Sequence, residues 1–119
     1  MNERIFGIHG AALELRSQRM GLIASNISNA ATPGYKARDI DFSAALEARL
    51  KSGRDPAWPI DPAERHLVYR TPTMASLDGN TVELGREQVA FAENALRYSA
   101  TLSFIEGKVS TITRALKGD

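Results

Sequence analysis

Two histidines, His9 and His66, stand far apart in a chain that contains no cysteine. A thiolate nucleophile, a disulfide framework and a cysteine-ligated metal are therefore excluded. The carboxylates Asp39, Asp41, Glu83 and Glu87 are the remaining candidates for paired acid and base work, but nothing in the sequence draws two of them into one cleft. Neither an HExxH run, a Gly-x-Ser-x-Gly elbow nor a phosphate-cradling glycine loop is present. These acids are expected as caps, helix-dipole partners or solvated surface. The reading predicts no catalytic, cofactor or metal site. More is carried by two amides, Asn26 and Asn29, which project from one face of a helix because they lie three residues apart. Near a helix end such amides either satisfy free carbonyls or meet a facing partner. The segment Thr32-Pro33-Gly34-Tyr35 follows, with Pro33 and Gly34 in the two central positions of a type II turn. The preceding helix must stop near Ala30.

Composition bounds what these residues can serve. At 119 residues and a net charge of +1, the chain holds one small domain and shows no basic patch for nucleic acid or anionic lipid. No apolar run reaches membrane-spanning length. The start, Met1 to His9, lacks a basic segment followed by an unbroken apolar core, so no cleavable secretory peptide is expected.

The elements that must position these groups read as all-α. From Ile5 to Ala30, apolar residues recur at helical spacing on two adjacent lines: Ile5, Ile8, Ala12, Leu15 and Leu22 on one, Phe6, Leu13, Met20 and Ile27 on the other. So broad a stripe needs more than one neighbour, and Gly7, Gly10 and Gly21 leave packing, not propensity, to hold the helix. Near the other end, Leu84, Phe91, Tyr98, Ile105 and Ile112 recur every seven residues, with Gln88, Ala95, Leu102, Val109 and Leu116 between them. That three-four spacing predicts a coiled-coil seam against the first helix, on a helix roughly 45 to 50 Å long. Phe91, Tyr98, Leu102, Ile105, Val109, Ile112 and Leu116 form this expected intrachain seam. Val89, Leu96 and Phe104 fall off it and would stay wet in a two-helix hairpin, unless a middle helix covers them.

Between the long helices, Asp41 is placed to cap a short helix carrying Phe42, Leu46 and Leu50 and ended by Gly53. Three prolines between Arg54 and Pro62 then predict an extended linker, in which Trp58 either anchors to a neighbour or packs locally. His66 to Thr71 has strand character, cut short by Pro72, and Asp78-Gly79 marks a turn. Asn80 with Glu83 three residues on suggests a cap for the last helix, with Gly85 as a competitor. The expected organisation is a single domain: a helix over 1–31, a turn and extended segment over 32–40, a short helix over 41–52, a linker with a short strand over 53–80, and a helix over 81–117.

The run Ala24-Ser25-Asn26-Ile27-Ser28-Asn29-Ala30-Ala31-Thr32-Pro33-Gly34-Tyr35, its continuation Lys36 to Phe42, and the later Ser76-Leu77-Asp78-Gly79-Asn80-Thr81-Val82-Glu83-Leu84 resemble the signature of the bacterial flagellar axial proteins. Within that family the match is to a proximal rod subunit, and it covers all but residues 51–70. Ser25 stands where the family usually has Asn, and Ala31 where it usually has Asp; neither lies in the turn.

The resemblance implies a structural subunit of the rod that packs against copies of itself and other rod subunits, transmits torque and forms part of the export channel wall. It implies a ring-to-rod adaptor, the inner-membrane ring and the flagellar type III export gate as further partners, with passage through that gate into the periplasm without cleavage. It places Asn26 and Asn29 in an inner helical layer as packing and register determinants; Val89, Leu96 and Phe104 are expected as subunit contacts from their place off the seam. It also likens Phe42-Ser43-Ala44-Ala45-Leu46 to a short element that docks early subunits at the gate, although an amphipathic turn with one buried face explains those residues equally well. A helical adaptor or export chaperone that holds a partner's helix in a groove is the competing class. A small glycan hydrolase ranks behind both, because no catalytic domain accompanies the helices.

Overall fold

The computed structural model describes residues 2–52 and 66–118, with side chains placed for 7–51 and 66–118. The Pro-rich stretch with Trp58, the stop at Gly53, and the side chains of Ile5 and Phe6 lie outside the described residues. Among the described residues the protein is mainly α-helical. Helix α1 runs over Asn2–Ser28, strand β1 over Arg38–Ile40, helix α2 over Phe42–Ser52, strand β2 over Leu67–Tyr69 and helix α3 over Leu84–Lys117.

Helices α1 and α3 lie side by side in opposite directions. Asn26 bonds Glu87, Arg16 bonds Asn94, and the His9 ring stacks at 4.3 Å on Phe104. The molecule is accordingly elongated, 64 × 32 × 18 Å. Since α3 has 34 residues and α1 has 27, the last turns of α3 run beyond the start of α1.

Helix α2 packs on α1. Leu15, Ile40 and Ala45 form the buried apolar cluster, with Leu22, Phe42 and Leu46 against it. The Leu15–Leu22 part of one α1 line is thereby covered within the chain, while Ile8 on the same line stays 53% exposed. The cap at Asp41 is local chemistry: its carboxylate accepts from Ala44 N at 3.3 Å while its carbonyl accepts from Ala45 N at 2.9 Å. The Phe42 ring lies 4.2 Å beneath the Arg16 guanidinium. Burial first, then the nearby positive Arg97 and Arg19, lowers the pKa of Arg16.

The strands pair antiparallel, Arg38 opposite Tyr69, Asp39 opposite Val68 and Ile40 opposite Leu67. The ladder is extended at both ends by Asp41 N to His66 O and Arg70 N to Ala37 O. Because side chains alternate along β1, Ile40 enters the apolar cluster while its neighbour Asp39 is aimed at a set of charges.

The expected seam needs correction. On α3 the fully buried residues are Glu87 and Asn94, seven apart, one position before Gln88 and Ala95. Phe91, Tyr98, Ile105 and Ile112 are half-buried beside them, whereas Leu102, Val109 and Leu116 are 37%, 46% and 83% exposed and form no intrachain seam. Polar demand sets this rotation, because Glu87 must meet Arg70 and Asn26, and Asn94 must reach the Arg16 carbonyl at 2.8 Å.

Candidate functional site

The turn Thr32-Pro33-Gly34-Tyr35 closes with Tyr35 N donating to Thr32 O at 3.2 Å, and Gly34 has φ +75°. Against it lies a second turn, Ser76 to Gly79, where Gly79 has φ +78°. A Cβ on Gly79 would meet the Gly34 Cα at 3.7 Å, so the two backbones pass close together. Gly34 N donates to Asp78 O at 2.8 Å, Thr81 N to Tyr35 O at 2.9 Å, and Ala37 N to Thr81 Oγ1 at 2.8 Å. Asn80 completes the lock. Its amide nitrogen donates to the carbonyls of Asn29 at 2.9 Å, Ala30 at 3.0 Å and Thr32 at 2.7 Å, while its oxygen accepts from Val82 N at 2.7 Å.

Asn80 therefore caps the end of α1, not the start of α3. Glu83 occupies the N-cap of α3 with extended backbone and makes no side-chain cap bond. Its carboxylate turns to Thr73 N and Thr73 Oγ1 at 2.6 and 2.7 Å, and those bonds hold its pKa below the usual carboxylate value. Asp78 is lowered likewise by Ser76 and the Asn80 amide.

The second half of the site is a group of charges between α1, both strands and α3. Asp39 accepts a two-point contact from Arg19, at 2.8 and 3.1 Å, and a further contact from Arg70 at 3.0 Å. Arg70 Nε is paired with Glu87 Oε1, and Asn26 donates to Glu87 Oε2 at 3.0 Å. Asn26 also brackets Arg38, donating to its carbonyl at 2.7 Å and accepting from its N–H at 3.0 Å. Two cations and two anions balance, so a buried set of charges is kept without net charge. The hydrogen bonds that Arg19 donates to Asp39 raise the pKa of Arg19. All four carboxylates that might have done acid and base chemistry are thus committed: Asp39 and Glu87 to arginines, Asp41 to a helix cap, and Glu83 to Thr73.

Along α3, three apolar side chains stand partly or largely in solvent, Phe104 among them although His9 lies against its ring. Val89 is 59% exposed, Leu96 73% and Phe104 50%. Helix α2 packs on α1 instead of covering them.

Comparison with known proteins gives this geometry a family. A model described as flagella basal body rod protein matches residues 7–36, most of α1 and the Thr32–Tyr35 turn. The flagellar basal body rod protein FlgB of Cereibacter sphaeroides is 46% identical over 95% of this chain and 94% of its own length. The chain belongs to the FlgB family. FlgB of Escherichia coli K12 is 41% identical over 89% of this chain and 88% of the relative, and that of Proteus mirabilis HI4320 is 38% identical over 97% and 95%. As a FlgB-family protein it is a structural subunit of the flagellar basal body rod, not an enzyme.

Within this FlgB-family fold, Asn26 and Asn29 spend their amides inside the chain. Asn26 is fully buried, and Asn29 donates to Ser25 O at 2.8 Å while accepting from Thr32 Oγ1 at 3.0 Å. Ser25, which stands outside the turn in sequence, reaches it in space: its hydroxyl lies 3.0 Å from the Tyr35 hydroxyl. Phe42 and Leu46 are half-buried against the Leu15 cluster. Sequence reasoning missed Arg19, Arg70 and Asn94 as organising residues and assigned Asn80 to the wrong helix. The seven-residue spacing of Glu87, Asn94 and Thr101 was the one signal available for the polar side of α3.

Proposed function

We propose that this chain forms the proximal part of the rod, pairing α1 and α3 as an antiparallel coiled coil and polymerising through the faces that pair leaves bare. The exposure of Val89, Leu96 and Phe104 on a subunit whose other elements are locked together supports this reading most directly. Covering such side chains is worth roughly 1.5–3 kcal/mol each for the larger ones, so neighbouring subunits are the natural cover. A tube so built transmits torque through many small contacts and leaves the inner helices as the wall of the export channel. In this account the partners are other copies of the chain, other rod subunits, the ring-to-rod adaptor and inner-membrane ring at the base, and the type III export gate, with the rod itself in the periplasm. Deleting the chain and imaging purified basal bodies by electron microscopy tests the assignment. Rings without rods are expected; intact rods would overturn it.

Phe42 and Leu46 serve the gate before they serve the fold. In the folded subunit they are half-buried beside Leu15, so they are free for the gate only while the chain is unfolded for export. A Phe42→Ala variant should fold but be secreted several-fold more slowly, since a lost aromatic anchor of about 1–2 kcal/mol corresponds to that change. Secretion at the normal rate would remove the export role.

A further inference from the structure

The two ends of the elongated subunit differ in a way that suits them to each other. At the locked end, the loop before α3 carries Met74 and Leu77 almost wholly in solvent, although the backbone around them is tied down by Thr73, Ser76, Asp78 and Asn80. Exposed aliphatic side chains on a tethered turn lose little conformational freedom when they are buried by a partner. The charge adjoining Leu77 is the Asp78 carboxylate, and the cations nearby, Lys36 and Arg86, are drawn onto the Gly79 and Thr71 carbonyls. About 40 Å away along α3, at 1.5 Å per residue, an open cleft of about 800 Å³ is lined by Phe104, Gly107, Lys108, Thr111, Ile112 and Arg114 with flanking serines. Among the described residues, all of them on α3, it offers Ile112 and the edge of the Phe104 ring that His9 leaves open, with two cations and no carboxylate.

We infer that the Met74–Leu77 loop of one subunit seats in the Phe104–Ile112 cleft of a second copy of this chain, with Asp78 against Lys108 and Arg114. This inference rests on the assembly reading and specifies one of its contacts. Loop and cleft lie on different ends, so the contact is heterologous: each subunit offers its loop to one neighbour and its cleft to another, which generates an open series, not a closed dimer. Apolar fit supplies affinity, and the complementary charges fix which end meets which.

The absence of cysteine makes the contact directly trappable. Purified Leu77→Cys and Thr111→Cys chains are mixed in equal amounts under mild oxidation and resolved on a non-reducing gel, with Ser43→Cys on α2 replacing Leu77→Cys as control. The heterodimer should exceed the control pair by about tenfold or more, because a seated contact raises the local thiol concentration toward millimolar. Adding Lys108→Glu should reduce trapping, and Asp78→Lys on the opposing chain should restore it. Yields equal to the control, or a dominant Leu77→Cys homodimer, would overturn the contact. Sedimentation of the unaltered chain, with deletion of the chain in cells, separates the two levels. Association without trapping removes only this contact, whereas intact rods in basal bodies purified after deletion of the chain remove the assembly reading with it.

Discussion

Replacing Arg70 by Met should destabilise the subunit by about 3–5 kcal/mol, the usual result of removing one partner from a buried ion pair. Arg70 touches both Asp39 and Glu87, and Glu87 is fully buried with only the Asn26 amide left to it once the guanidinium is gone. Small domains are stable by roughly 5–15 kcal/mol, so this single change consumes at least about a fifth of the total. Denaturant unfolding followed by circular dichroism measures it. A double replacement, Arg70→Met with Glu87→Met, should recover much of the loss, because it removes the unpaired charge as well as its partner, and Asp39 keeps Arg19. A loss below about 1 kcal/mol for the single variant would show these charges to be effectively solvated, as exposed pairs are.

Asn80→Ala should cost about 2–3 kcal/mol, since three carbonyls at the end of α1 and in its turn lose their donor together. Asn80→Asp is the sharper test. Aspartate retains an acceptor for Val82 N but directs negative charge at those carbonyls and at the negative end of α1. If the residue served only its own turn, aspartate would be tolerated. The account expects it to be at least as damaging as alanine, with faster amide exchange at Asn29 through Ala37 while the amides of α2 are protected as before.

How far the sequence disclosed this structure depended on whether the determining interaction was local. Asp41 capping α2, the Pro33-Gly34 turn and the apolar lines of α1 all follow from chemistry within a few residues of each other. Asn80 was misplaced because its nearest helix in sequence is α3, whereas its carbonyl partners lie about fifty residues away at the end of α1. The α3 seam was misjudged for a related reason. Heptad counting rewards Leu102, Val109 and Leu116, but one face of a helix can be claimed by buried polar groups whose partners, Arg70 and Asn26, are invisible to periodicity. The bare face at Val89 and Leu96 was half legible: three-four spacing leaves it off the seam, but only the packing of α2 on α1 decides that no middle helix covers it.

That face decides the account. The Val89→Asp, Leu96→Asp double variant should remain folded, its stability within about 0.5 kcal/mol per site of the parent as expected for exposed positions, yet be absent from purified basal bodies and leave cells without rods. Rods of normal length containing the doubly substituted chain would contradict the claim that subunits meet through this surface.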